Sequence, residues 1–259
     1  IQLGVALAVQ WEARLRGLAL LDTRRLESLV TTCESAVHAD GELLLLQCEQ
    51  LKQEAVRSLF SQQCLVAGVP YDLRFAEGDP LQLLPSESQF HDLVVTFFPA
   101  ADSLAEFRSE PRLSPAELLN LLRQGGQPLL VVRKPEQLLE RVLLVYDGTP
   151  ASGRAVRHFL EQNLLPAAEC RLIAVGATAA QAQEYLQEML AYCRMGKRDM
   201  ETGWFRGRLR RVLLPYATKW QADLIVLGVQ PSHWRLPRLQ RDLMELALLK
   251  TNCALYVAN

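Results

Sequence analysis

The feature that most constrains this chain is that its hydrophobic pattern occurs twice. His91-Asp92-Leu93-Val94-Val95 matches Ala222-Asp223-Leu224-Ile225-Val226, and Gln127-Pro128-Leu129-Leu130-Val131-Val132 matches Cys253-Ala254-Leu255-Tyr256-Val257, each pair at the same place in its half. A repeat of that kind limits the chain to two copies of one folding unit. Within each copy, short apolar runs alternate with segments of helical period. Runs apolar at every position suit strands buried on both faces of a parallel sheet, and strict strand-helix alternation gives right-handed crossovers with helices on both faces. The expected fold class is therefore α/β, with two doubly wound domains.

In the first half the pattern predicts a helix over 2–16 stopped by Gly17, a strand over 18–22, and a long helix over 42–67 whose inner face is Leu43, Leu46, Leu51, Val56 and Leu59. A strand over 71–76, a short helix over 81–90 limited by Pro85, and a strand over 92–98 follow. After the polar loop 99–115 come a helix over 116–124, capped by Ser114 with Pro115 in its first turn, and a strand over 128–132. The charged, proline-containing segment 135–140 reads as the linker, so the domains are 1–134 and 141–259.

The second half opens on Arg141 to Arg157, RVLLVYDGTPASGRAVR, which packs a strand, a polar turn and a helix start into one stretch. Val142, Leu143, Leu144 and Val145 make the strand. Gly148 accepts a positive φ, Thr149 caps a helix, and Pro150 loses no hydrogen bond at the first helical position. Ligands of open α/β sheets sit at the carboxyl ends of such strands, where helix N-termini present free N–H groups, so this turn is the first candidate site. Strands over 171–175, 201–205, 223–228 and 254–258 follow, with helices over 151–162, 180–194, 209–221 and 238–250 between them. The first half has no counterpart of the opening strand and Asp-Gly-Thr turn, and the expectation is that residues upstream of Ile1 supply them.

Composition narrows the function. Hydrophobic residues are 49% and charged residues 22%, as in a globular protein, and a net charge of −1 gives no electrostatic case for nucleic acid or an anionic membrane. No run reaches the roughly 20 apolar residues of a membrane helix, so this segment is not expected to insert. The six cysteines (Cys33, Cys48, Cys64, Cys170, Cys193 and Cys253) have no metal spacing, which predicts buried thiols, no metal site and a cytoplasmic setting. No catalytic motif is present, and His38, His91, His158 and His233 lie in different elements.

With strand-Asp-Gly-Thr-Pro-helix at 142–157, Ala-Asp-Leu-Ile-Val-Leu-Gly at 222–228 and Cys-Ala-Leu-Tyr-Val-Ala at 253–258, the second half resembles a universal stress protein domain. The first half, with Gly78-Asp79-Pro80, Asp92-Leu93-Val94-Val95 and Pro128-Leu129-Leu130-Val131-Val132, is similar to the same domain beginning one strand late. The resemblance covers nearly the whole chain as a tandem pair. It implies five-stranded parallel sheets of the adenine nucleotide alpha hydrolase-like kind, a closing strand able to pair within the chain or in a homodimer, and ATP or another adenine nucleotide as the ligand class. By the same resemblance Asp147, Gly148 and Thr149 face ribose and adenine, the main chain of Val175 faces the adenine edge, and Gly228 opens the phosphate loop.

The loop after Gly228 departs from the family pattern. Val229-Gln230-Pro231-Ser232-His233-Trp234-Arg235-Leu236-Pro237 has no further glycine, and a backbone wraps phosphates only where no Cβ blocks its approach. Phe97 and Phe98 stand at the equivalent strand end of the first half. Three readings follow: a non-catalytic tandem regulatory module with a degenerate nucleotide site in the second domain; an ATP-binding stress protein, with slow hydrolysis at most; and the cytoplasmic regulatory tail of a membrane transporter such as a cation/proton antiporter. Asp147 is either a ribose ligand or a helix cap, and Arg235, Arg238 and Arg241 either phosphate-binding cations or a solvated face. His233 and Trp234 are either a base-stacking pair or a loop tip, Ser152 a helix-start polar residue, and the basic strip 197–211, with Trp204 and Phe205, a strand edge and loop.

Overall fold

The computed structural model describes residues 1–22, 38–100, 102–103, 113–134, 136–195, 200–229 and 237–259. The chain forms two compact units, Ile1–Leu83 and Leu84–Asn259.

The first unit holds α1 (Gln2–Gln10), β1 (Leu15–Asp22), α2 (His38–Ala67) and β2 (Tyr71–Gly78). β1 and β2 pair in parallel from Leu15↔Tyr71 to Asp22↔Gly78. Their core is Val5, Ala8, Phe60, Cys64 and Val69, with Leu15, Tyr71 and Leu73 against it. Gly17 leaves room there, since a Cβ would come within 2.7 Å of Leu73 Cδ1 and 2.9 Å of Phe60 Cζ and these side chains would have to shift. Two expectations are corrected. α1 ends at Gln10 rather than at 16, because Ala13 N–H bonds back to Ala8 O and Glu12 turns left-handed at φ 51°, releasing residues 15–17 to the ladder with β2. The predicted inner face of α2 is also wrong over its described side chains. Leu51, Val56 and Leu59 are exposed, while Phe60 and Cys64 are buried. A 30-residue helix is about 45 Å long and an eight-residue strand about 27 Å, so a two-stranded ladder covers only part of α2. The side chains of Leu43 and Leu46 lie outside the described residues.

The second unit carries a seven-stranded sheet, ordered β3-β4-β9-β8-β5-β6-β7. Its strands are β3 (Val94–Phe97), β4 (Leu129–Val132), β5 (Arg141–Tyr146), β6 (Glu169–Gly176), β7 (Glu201–Arg206), β8 (Leu224–Gly228) and β9 (Ala254–Ala258). Five of them, β9-β8-β5-β6-β7, form the parallel sheet expected of the second half. β3 and β4 extend it through an antiparallel seam, Leu129↔Val257 to Val131↔Leu255, so the closing strands of the two sequence repeats pair within one chain. Among the described residues, no strand pairs with the second edge of β1 or of β3.

Helices cover both faces. α4 (Pro115–Gly125), α7 (Leu209–Trp220) and α8 (Pro237–Lys250) bury Leu118, Leu122, Leu213, Ala217, Met244 and Leu248 against Leu143, Ile173, Ile225 and Leu255. α5 (Pro150–Gln162) and α6 (Ala179–Met195) take the face that bears the alternate strand residues. α3 (Pro80–Ser88) precedes β3, with Pro85 inside it. The start of α4 follows its sequence: Ser114 and Glu117 make a reciprocal capping box, and Gly126 ends the helix at φ 74°. Residues 136–140 are tied to the sheet, since Gln137 donates to Asp223 O and Asn252 O and the Glu140 N–H donates to Asp223 Oδ2.

Candidate functional site

The carboxyl ends of β5 and β8 meet at the start of α5. β5 is apolar from Val142 to Val145 and fully buried, so it delivers Asp147 to the sheet rim at a fixed height. Gly148 turns the chain at φ 77°. Thr149 caps α5 by accepting from Ser152 N–H, and Pro150 takes the first turn. The cap, the turn glycine and the proline are as the sequence reads. Its hydrogen bonding is more elaborate.

Asp147 Oδ1 accepts three hydrogen bonds, from Thr149 N–H at 3.1 Å, Thr149 Oγ1 at 2.7 Å and Ser152 Oγ at 2.7 Å. The Asp147 N–H donates in turn to Ser152 Oγ at 3.3 Å. Ser152, read from sequence as a helix-start polar residue, is buried and closes this network. The turn thus engages one oxygen of its own carboxylate with its own donors, which fixes its geometry.

Two neighbours fill the space around it. A Cβ on Gly148 would lie 2.1 Å from Tyr185 Cζ, so the Tyr185 ring from α6 rests directly on the turn. Its hydroxyl accepts from Gln181 Nε2 at 2.8 Å, and Gln181 Oε1 accepts from Ala177 N–H at 2.9 Å. The Tyr146 ring meets it edge-on at 5.7 Å, and Tyr146 donates to Glu188 at 3.3 Å. Burial, with the Glu188 carboxylate behind it, raises the Tyr146 pKa. On the other side, a Cβ on Gly228 would stand 2.2 Å from Ala151 C and Ser152 N, so the backbone opening α5 packs straight onto the end of β8. Glycine is required at 228 by that packing alone.

The structure brings Asp147, Gly148, Thr149 and Gly228 together. Val175 lies at the same end of the sheet, buried in β6 one residue beyond Ala174, the partner of Tyr146, and in register with Phe205 of β7. Tyr185, Gln181 and Tyr146 were not singled out from sequence. Tyr185 and Gln181 are ordinary helix residues in sequence, and only the close approach of α6 marks them. Residues 230–236 and the side chains of Arg238 and Arg241 lie outside the described residues, and with them His233, Trp234 and Arg235.

Ser152 donates to the Asp147 carboxylate, and among the described histidines His158 sits 2.9 Å from the hydroxyl of buried Tyr256. Among the described residues no His/Cys/Asp/Glu group is arranged to hold a metal, and no helix is long and apolar enough to cross a membrane. Cys64, Cys170, Cys193 and Cys253 are buried; the side chains of Cys33 and Cys48 lie outside the described residues. In the basic strip, Phe205 turns inward against Tyr216 at 4.9 Å, while Trp204 is 41% exposed.

A parallel sheet in the order 9-8-5-6-7, with its turn site at the β5 and β8 ends, is the α/β fold of the adenine nucleotide alpha hydrolase-like class. The solved structures it resembles are universal stress protein-like. One is a universal stress protein from Archaeoglobus fulgidus DSM 4304, with 13% identity, 100% of this chain and 90% of that chain covered, and a TM-score of 0.68. Another is a functionally unknown protein from Pseudomonas aeruginosa PAO1, at 14% identity, 99% and 85% coverage and a TM-score of 0.57. A third is the cytoplasmic domain of a prokaryotic cation chloride cotransporter, at 15% identity, 95% and 84% coverage and a TM-score of 0.51. No protein-family model and no curated protein matches the chain.

Proposed function

We propose that this chain is a non-catalytic, tandem universal stress protein-like regulatory module, and that the Asp147 turn of its second repeat is a degenerate nucleotide site. The observation that carries this reading is the internally bonded and covered turn. One oxygen of the carboxylate expected to meet a ribose already takes three internal hydrogen bonds, an aromatic ring of the chain itself covers Gly148, and the start of α5 packs onto Gly228. A ligand here has to displace contacts that the protein makes with itself, which lowers its affinity by the stability of those contacts. The test is calorimetric titration of the full chain with ATP, ADP and cyclic AMP, beside a phosphate-release assay. Neither saturable micromolar binding nor turnover is expected. Micromolar ATP binding abolished by Asp147→Ala establishes the competing ATP-binding reading instead.

A second reading is supported by the cotransporter cytoplasmic domain, whose fold this chain follows over 95% of its length. On that reading the module is a cytoplasmic regulatory domain of a membrane transporter. The gene sequence upstream of Ile1 decides it: several apolar runs of about 20 residues support a transporter, and a start codon one strand earlier sinks it.

A further inference from the structure

Tyr185 is held where a ligand ring would lie, by contacts that a ligand ring would also make. Its face rests on Gly148, the residue whose missing Cβ leaves room for a flat group against the backbone. An aromatic edge, Tyr146, meets it at 64°. Its one polar atom is met by an amide, Gln181 Nε2, which the Ala177 N–H holds in place through Oε1. The turn that carries Gly148 is itself held rigid by the bonds among Asp147, Thr149 and Ser152. Flat face, aromatic edge and oriented amide together make a receptor for a planar ring with a polar edge.

We propose that Tyr185 is a resident plug of this site: the chain's own phenol ring occupies the ring subsite, and the class of ligand admitted when it leaves is a planar heteroaromatic group. The inference rests on the degenerate-site reading above and adds the residue that closes the site. With Tyr185 out, Gln181 is released to pair with the polar edge of the incoming ring, while Tyr146 and Gly148 keep their places. The wedge of Ala151 and Ser152 against Gly228 is untouched, so the site opens for the ring and not for a phosphate chain.

The experiment titrates the full chain and Tyr185→Ala calorimetrically with adenosine, and with p-cresol as a probe of bare cavity shape. The variant is expected to bind adenosine saturably, at least about tenfold more tightly than the unaltered chain. Should Tyr185→Ala fail to fold by circular dichroism, Tyr185→Leu serves in its place. It removes the ring and its hydroxyl, keeps an apolar side chain over the turn and leaves Gln181 intact, and a smaller gain in the same direction is expected. The plug is overturned by no gain in whichever variant folds, by equal adenosine binding in the unaltered chain, or by a variant that takes p-cresol but not adenosine. Micromolar ATP binding by the unaltered chain sinks the degenerate-site reading instead, whatever the variants do.

Discussion

At the scale of single residues, the most buried polar group of the sheet is Tyr256. It is fully enclosed in β9, its ring edge-on to Phe159 at 5.2 Å, and its hydroxyl donates to Gln162 at 2.9 Å with His158 Nδ1 also at 2.9 Å. Burial pushes its pKa well above the ordinary tyrosine value. The sign of the effect on stability follows. Below about pH 10 the ring is neutral whether folded or unfolded and adds no pH dependence; above it the unfolded ring ionises while the folded one stays neutral. Stability therefore falls as pH rises past about 10, by up to ~1.4 kcal/mol per pH unit from this one group. Tyr146 and Tyr192 are shifted the same way by burial, so the measurement is a difference. Urea unfolding at pH 9 and pH 11 should show a smaller loss in Tyr256→Phe than in the unaltered chain, and equal losses refute the assignment.

At the scale of elements, the seam between β4 and β9 is reinforced by one side chain. Arg133, just past β4 and 1% exposed, donates from Nη2 to Leu248 O and to Thr251 O at the C-terminal end of α8, and its guanidinium lies 5.2 Å from the Phe98 ring centroid. Burial lowers its pKa to about 10, which leaves it charged at neutral pH. A cation closing the last carbonyls of a helix is favoured by the dipole as well as by the hydrogen bonds. Arg133→Ala strips both carbonyls of their donor, and a loss of about 3 kcal/mol in urea unfolding is expected; a loss below about 1 kcal/mol refutes the cap. Sequence alone did not reveal this contact, because it joins residues 115 and 118 positions apart. Local signals were legible: the apolar runs of β5, β8 and β9, the Ser114 cap and the Gly148 turn each depend on neighbours within a few residues. Signals that depend on approach between elements were not. Gly228 reads as part of a phosphate loop until the α5 backbone is seen 2.2 Å from its absent Cβ, and Tyr185 is unremarkable until α6 is laid across the turn. The end of α1 is illegible in the sequence for the same reason, since pairing with β2 decides where β1 begins.

At the scale of the whole molecule, the sequence repeat and the compact units divide the chain differently. The repeat places β3 and β4 with the first half, but their ladder continues through the antiparallel seam into β9, and every pairing of the seven-stranded sheet falls between Val94 and Ala258. The first unit has one two-stranded ladder and a described core of Val5, Ala8, Phe60, Cys64 and Val69. Among the described residues, two parallel strands and a core of that size bury little apolar surface to set against the ordering of the chain, whereas the second unit closes its sheet under helices on both faces. The two units should therefore differ in independence. A chain beginning at Asp79 keeps the side chain that accepts from the Leu81 N–H at 2.8 Å and the whole of α3. It is expected to express as a folded protein, with a near-ultraviolet circular dichroism signal and a single cooperative urea transition. Residues 1–83 alone are expected to give neither. A non-cooperative transition in the Asp79 chain would show that the seven-stranded sheet depends on the first unit, and cooperative unfolding of 1–83 that its two-strand ladder suffices for an independent fold.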